Sequence, residues 1–77
     1  FYNYLLSIIK ENDCIGFAYA DVSSGMFFVE TSNIQDINSI ITKINPSEII
    51  CLDSLCNDIE VLNKLEQYKS ILHLLPM

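Results

Sequence analysis

Asp21-Val22-Ser23-Ser24-Gly25 is the stretch where this chain comes nearest to reactive chemistry. The pattern D-x-S-x-G is reminiscent of loops that handle phosphate or metal. A carboxylate there could hold Mg²⁺ for phosphoryl chemistry if a second one faced it. The one plausible companion is Asp53, at the end of a short apolar run. An aspartate just before a turn more commonly accepts a backbone N–H two residues on, as an Asx-turn, and Asp21 is read that way. Ser23 and Ser24 need a base to become nucleophiles. The only histidine, His73, lies far along the chain in the apolar run SILHLL, where a packed or edge-exposed role is expected. Gly25 is the loop's single glycine, too few for a phosphate cradle. Glu30, Glu48, Asp53, Asp58, Glu60 and Glu66 read as solvated or capping acids. No residue is assigned as catalytic, cofactor-binding or metal-ligating.

Cys14, Cys51 and Cys56 contain no C-x-x-C pair, and with one histidine they do not complete a zinc site. They are expected to be buried, reduced thiols acting as small hydrophobes, which points to a reducing, cytoplasmic compartment. Ten acids against four lysines give a formal charge of −6, with no arginine. That balance argues against a phosphate-binding surface and against an anionic membrane. No apolar run approaches the roughly 18 residues of a membrane span. Seventy-seven residues, 51% of them apolar, are expected to form one small domain over residues 1–77. The start at Phe1-Tyr2-Asn3 and the end at Pro76-Met77 suggest a piece of a longer protein.

The elements that must position these groups centre on Ile15 to Thr31, IGFAYADVSSGMFFVET. Two apolar runs flank Ser23-Ser24-Gly25, which predicts a hairpin with a three-residue loop and Gly25 in the left-handed region. In that register Tyr19 faces Val29 and Ala20 faces Phe28. Phe17, Tyr19, Asp21, Phe27 and Val29 share one side, and Gly16, Ala18, Ala20, Val22, Met26 and Phe28 the other. Both sides are mostly apolar, so a sheet covered on both faces is expected. Before it, Tyr2 to Ile9 reads as a strand without a carboxylate, followed by a polar break at Lys10 to Asp13.

After Asn33, a suitable N-cap, Ile34, Ile37, Ile40, Ile41 and Ile44 recur at helical spacing, and Asn45-Pro46 ends the helix. Ser47 to Asp53 predicts a buried parallel strand. A second helix, capped by Ser54 or Asn57, is expected to bury Ile59, Leu62, Leu65 and Tyr68, with a Glu60–Lys64 pair on its surface. Ser70 to Leu75 reads as a last strand. The order β-β-β-α-β-α-β gives an α/β fold, a mixed sheet of the ribonuclease H-like type with helices on its faces.

Three short motifs in one order resemble the connector domain (domain II) of the MutS family. They are Asn3-Tyr4-Leu5, the run Gly16 to Phe27, and Pro46-Ser47-Glu48-Ile49-Ile50. The middle run is similar to the family's G-hydrophobic-A-x-x-D-hydrophobic-S-[ST]-G-x-F pattern. Tyr2 and the ending Ile50-Cys51-Leu52-Asp53 depart from it without disturbing the hydrophobic order. The resemblance implies a ribonuclease H-like fold with no nuclease site, and a non-catalytic role linking mismatch recognition to the ATPase core. It further implies neighbouring MutS domains and a MutL-type protein as partners, with no direct nucleic-acid contact from this piece. ATP, Mg²⁺, mismatched DNA and a dimeric state belong to the parent protein. The alternatives are a nuclease-type domain using Asp21 and Asp53 with Mg²⁺, or a general α/β protein-interaction domain.

Overall fold

The computed structural model describes residues 3–52, 55 and 57–75. Within them run β1 (Tyr4–Glu11), β2 (Cys14–Asp21), β3 (Phe27–Asn33), α1 (Ile37–Ile44), β4 (Glu48–Leu52), α2 (Ile59–Leu65) and β5 (Leu72–Leu75). Asp53, Ser54 and Cys56, which entered the sequence reading, lie outside the described residues. The strands form one five-stranded mixed sheet in the order β3-β2-β1-β4-β5. β1, β2 and β3 are an antiparallel meander, while β4 runs parallel to β1, and β5 parallel to β4.

β1 is longer at its end than the sequence suggests. Glu11 pairs with Cys14, so the connection is the two-residue turn Asn12-Asp13 rather than a four-residue break. Asn12 takes φ 58°, the left-handed geometry that tight hairpins require and asparagine tolerates. The strand therefore ends on a carboxylate residue, although its middle carries none.

The two helices lie on one face of the sheet, for a topological reason. The connection from β3 to β4 passes over β2 and β1, and the connection from β4 to β5 moves on in the same direction. Right-handed crossovers that travel the same way along a sheet put their helices on the same side. The Asn38 side-chain amide donates to the Lys64 carbonyl at 2.8 Å, tying α1 directly to α2. Beneath them sit Leu6, Ile8, Ile15, Phe17, Ile49 and Cys51, each no more than 2% exposed. The expectation of helices covering both faces is corrected: they cover one.

The isoleucine stripe is as its spacing predicts, with Ile37, Ile40, Ile41 and Ile44 buried and Ile34 packed at the margin. Ile34 belongs to a 3-10 turn, Ile34–Asp36, that precedes α1. Asn33 stands at the cap position without using its side chain. Asn45 ends α1 in the left-handed conformation, φ 51°, and donates its N–H to the Ile41 carbonyl at 2.8 Å. The residue before Pro46 thus leaves the right-handed region, and the helix stops.

α2 departs more from its predicted face. Val61 and Leu65 are buried, whereas Ile59 is 67% exposed. The cap is Asp58, whose carboxylate accepts the Glu60 N–H at 3.0 Å. Val61 and Leu65 are four residues apart and share the face turned to the core, and Ile59, two residues before Val61, falls on the far side of the helix. β5 is shorter than predicted because residues 69–71 turn into it through backbone bonds from Ile71 to Tyr68 and from Leu72 to Lys69.

Candidate functional site

The geometry of the Asp21 loop decides which side chains reach which face. Asp21 donates its N–H to the Met26 carbonyl at 2.9 Å, and the Gly25 N–H returns to the Asp21 carbonyl at 2.8 Å. The loop is therefore Val22 to Gly25, four residues rather than three, with Gly25 at φ 78°. The register shifts by one from the sequence reading: Tyr19 faces Phe28 and Ala20 faces Phe27. A one-residue slip exchanges the faces of an entire strand. Phe28 joins Phe17 and Tyr19 on the helix-covered side, and Phe27 and Val29 move to the side of Gly16, Ala18 and Ala20.

Asp21 itself is 2% exposed. One carboxylate oxygen accepts the Ser23 N–H at 3.2 Å, the Ser23 hydroxyl at 2.9 Å and the Asn3 N–H at 3.4 Å. The other accepts the Ser24 hydroxyl at 2.7 Å. The Ser24 bond, with the two from Ser23, holds the carboxyl below the usual carboxylate range, and burial opposes it. Ser23 and Ser24 thus donate to a carboxylate that fixes a turn. Among the described residues, no three His, Cys, Asp or Glu side chains gather around a possible metal position.

Asn3 connects this loop to the start of β4. Its carbonyl accepts the Val22 N–H at 3.1 Å, and its side-chain oxygen accepts the Ser47 hydroxyl. The Ser47 N–H donates to the Tyr4 carbonyl at 2.8 Å. Asn3, Asp21 and Ser47, distant in sequence, close one end of the sheet as a single clasp. The clasp ties the ends of β1, β2 and β4 together.

The remaining predicted candidates lie apart from the loop. His73, on the edge strand β5, is exposed, and its Nε2 lies 3.0 Å from Glu48 Oε1. Cys51 is buried as expected, but Cys14 is exposed. Cys14 opens β2 on the side that the helices leave bare, so burial does not reach it. Lys10 pairs with Asp58, which raises the lysine pKa above its ordinary value and lowers that of the aspartate. This pair borders a cleft of about 420 Å³ with Ile8, Leu52 and Leu55, at the carboxyl ends of β1 and β4.

The most extensive feature is the bare sheet face. Leu5, Ile9, Phe27, Val29, Leu52 and Leu75 project from it, 36% to 67% exposed. Gly16, Ala18 and Ala20 form a low central row between the larger residues of β1 and β3. Ser7, Thr31, Glu48 and His73 share this side, and large exposed apolar groups gathered on one face mark where other protein packs.

The three clasp residues belong to the motifs picked out in the sequence. A family model described as MutS domain II matches residues 3–75. The chain belongs to the MutS domain II family. It is 36% identical over 67 residues to the DNA mismatch repair protein MutS of Orientia tsutsugamushi (strain Ikeda), covering 87% of this chain and 8% of that protein. The MutS of Clostridioides difficile (strain 630) is 35% identical over 69 residues, covering 90% of this chain and 7% of that one. Wolbachia pipientis wMel MutS is 28% identical over 67 residues, with 87% and 8% covered. The chain thus spans less than a tenth of the length of the curated relatives it matches. In this MutS domain II chain, one residue from each motif, Asn3, Asp21 and Ser47, enters the clasp.

Sequence reasoning missed the bare face because both sides of the β2–β3 ribbon are mostly apolar in either register, a pattern that reads as covered on both sides. Glu30 offered no hint of it, because it lies with Phe28 on the helix-covered side, while Phe27 and Val29 on the bare side are apolar. Among the described residues no helix is long and apolar enough to cross a membrane.

Proposed function

We propose that residues 1–77 form a non-catalytic connector domain of a MutS-type mismatch repair protein, of the ribonuclease H-like class. The strand order β3-β2-β1-β4-β5, with two helices following the meander, supports that class. The bare apolar face carries the connector reading, because a domain that transmits motion must pack against its neighbours. In the parent protein this face lies against other MutS domains, and the acidic remainder offers a surface to a MutL-type protein. Mismatched DNA, ATP and Mg²⁺ are handled by other domains of a dimeric, cytoplasmic protein. A charge of −6 fits a domain that touches protein rather than DNA.

The nuclease-type alternative needs Asp21 free to hold Mg²⁺ with Asp53. The bonds that Asp21 accepts from Asn3, Ser23 and Ser24 oppose it. Amide NMR titration of the chain with the N-terminal domain of a cognate MutL, and separately with mismatched duplex DNA, tests the proposal. Shifts with MutL and none with DNA are expected. Shifts with DNA alone overturn the docking role, and Mg²⁺-dependent cleavage lost in Asp21→Asn would install the nuclease in its place.

A further inference from the structure

A second surface lies on the helix-covered side, at the corner where α1 ends. α1 stops at Ile44, leaving Tyr4, Tyr19 and Phe28 half-buried on three adjacent strands. Tyr19 and Phe28 stand opposite each other in the ladder and stack, with centroids 5.2 Å apart and planes 23° apart. Tyr4 meets both edge-on, at 84° to Tyr19 and 74° to Phe28. The rings make two walls near a right angle around a cleft of about 350 Å³, closed by Lys43 and Ile44. Glu30 stands beside it, two residues along β3 from Phe28 and on the same side of the sheet. The Tyr19 hydroxyl donates to Glu30 Oε2 at 3.3 Å, and the Lys43 ammonium reaches both carboxylate oxygens at 3.0 and 3.2 Å.

We propose that this cleft receives an arginine side chain from a basic segment of a partner protein. A guanidinium presents a flat face that stacks on aromatic rings and an edge that forks to a carboxylate. Tyr4, Tyr19 and Phe28 supply the first complement, and Glu30 supplies the second. Tyr19 holds the carboxylate in place through its hydroxyl. Lys43 now occupies Glu30, but its side chain is 60% exposed and the pair is a surface one, weakly held and displaceable. The chain has no arginine of its own, and the field of its −6 charge draws basic segments in. The cleft is separate from the bare face, so its occupancy does not depend on the connector reading.

Acetyl-arginine-amide, acetyl-lysine-amide and acetyl-citrulline-amide, titrated into the ¹⁵N-labelled chain, test this. The arginine compound should shift the amides of Tyr19, Phe28, Glu30 and Lys43 saturably. The lysine compound should bind more weakly, and the neutral citrulline compound, nearly the same in shape, should leave those amides unmoved. Glu30→Gln should weaken arginine binding roughly fivefold or more. Lys43→Ala, at an exposed position that leaves folding intact, should strengthen it by roughly two- to fivefold through removal of the internal competitor. Equal responses to arginine and citrulline would overturn the proposal. So would shifts spread over Glu48, Glu60 and Glu66, or a Lys43→Ala chain that binds no more tightly.

Discussion

Ile8 and Ile9 are consecutive residues of one type on opposite faces of β1, and truncating each to alanine measures the asymmetry of the sheet. Ile8 is fully buried beneath the helices, whereas Ile9 is 51% exposed on the bare side. Each truncation removes three carbon groups, worth about 2.4 kcal/mol when wholly taken from water, at about 0.8 kcal/mol each. At Ile8 the helices cannot collapse fully into the space, so a cavity contribution raises the loss to about 3–4 kcal/mol. At Ile9 about half of that transfer energy is already forgone and no cavity forms, leaving about 1 kcal/mol. The Ile9 side chain also lies over Gly16, where an added Cβ would come within 3.0 Å of it, so some contact survives to be lost. A chain of this size has a total stability of about 4–12 kcal/mol. Ile8→Ala therefore takes a large share of it, and Ile9→Ala a small one. Urea unfolding followed by far-ultraviolet circular dichroism, at several protein concentrations, reads both. Equal losses that do not vary with concentration would mean that the second face is packed, and the one-sided architecture would be wrong.

Further outcomes follow from the loop and the caps. Asp21→Asn should lower the urea midpoint at neutral pH and flatten its acid dependence. The folded-state pKa of Asp21 lies below the unfolded value of about 3.9, so its stabilisation is complete above that value and disappears as pH falls through the folded one. Identical acid profiles for the two proteins would show that the clasp does not depend on this charge. Gly25→Val should cost about 1–2 kcal/mol through backbone strain alone, because nothing lies within 4 Å of an added Cβ there. An unchanged midpoint would contradict the left-handed geometry. Asn45→Ala should cost about 1 kcal/mol at the left-handed end of α1, read in the same assay, while Asn45→Gly should be tolerated.

Much of this architecture was legible because period and punctuation agree. The five isoleucines at helical spacing, the Asn45-Pro46 stop and the short apolar run of β4 each carry a local signal that survives folding. The hairpin register was not legible to within a residue. Ser23-Ser24-Gly25 looks like a three-residue loop, and only the Asp21–Met26 pairing, fixed by the aspartate's own side-chain bonds, makes it four. That slip matters more than its size suggests, since it sends Phe27 and Val29 to the bare face. Asp58 was overlooked as the cap of α2 because Asn57 stands beside it with Glu60 at capping-box spacing, and local sequence does not separate the two. The role of Asp21 as a turn-maker was visible in its type and position. Its partner Asn3 was not, because the bond joins residues 18 apart in sequence. Likewise, Glu30 reads as an ordinary acid until pairing places it beside Tyr19 and Lys43.

The connector reading rests on the bare face being covered in the parent protein. Hydroxyl-radical footprinting of Phe27 and Val29, in this chain and in the full-length MutS-type protein, tests it most directly. Both side chains are about two-thirds exposed here, and the account predicts strong protection of both in the longer protein. Equal oxidation in the two would mean that no neighbour packs on this face, and the connector role argued from it would fall.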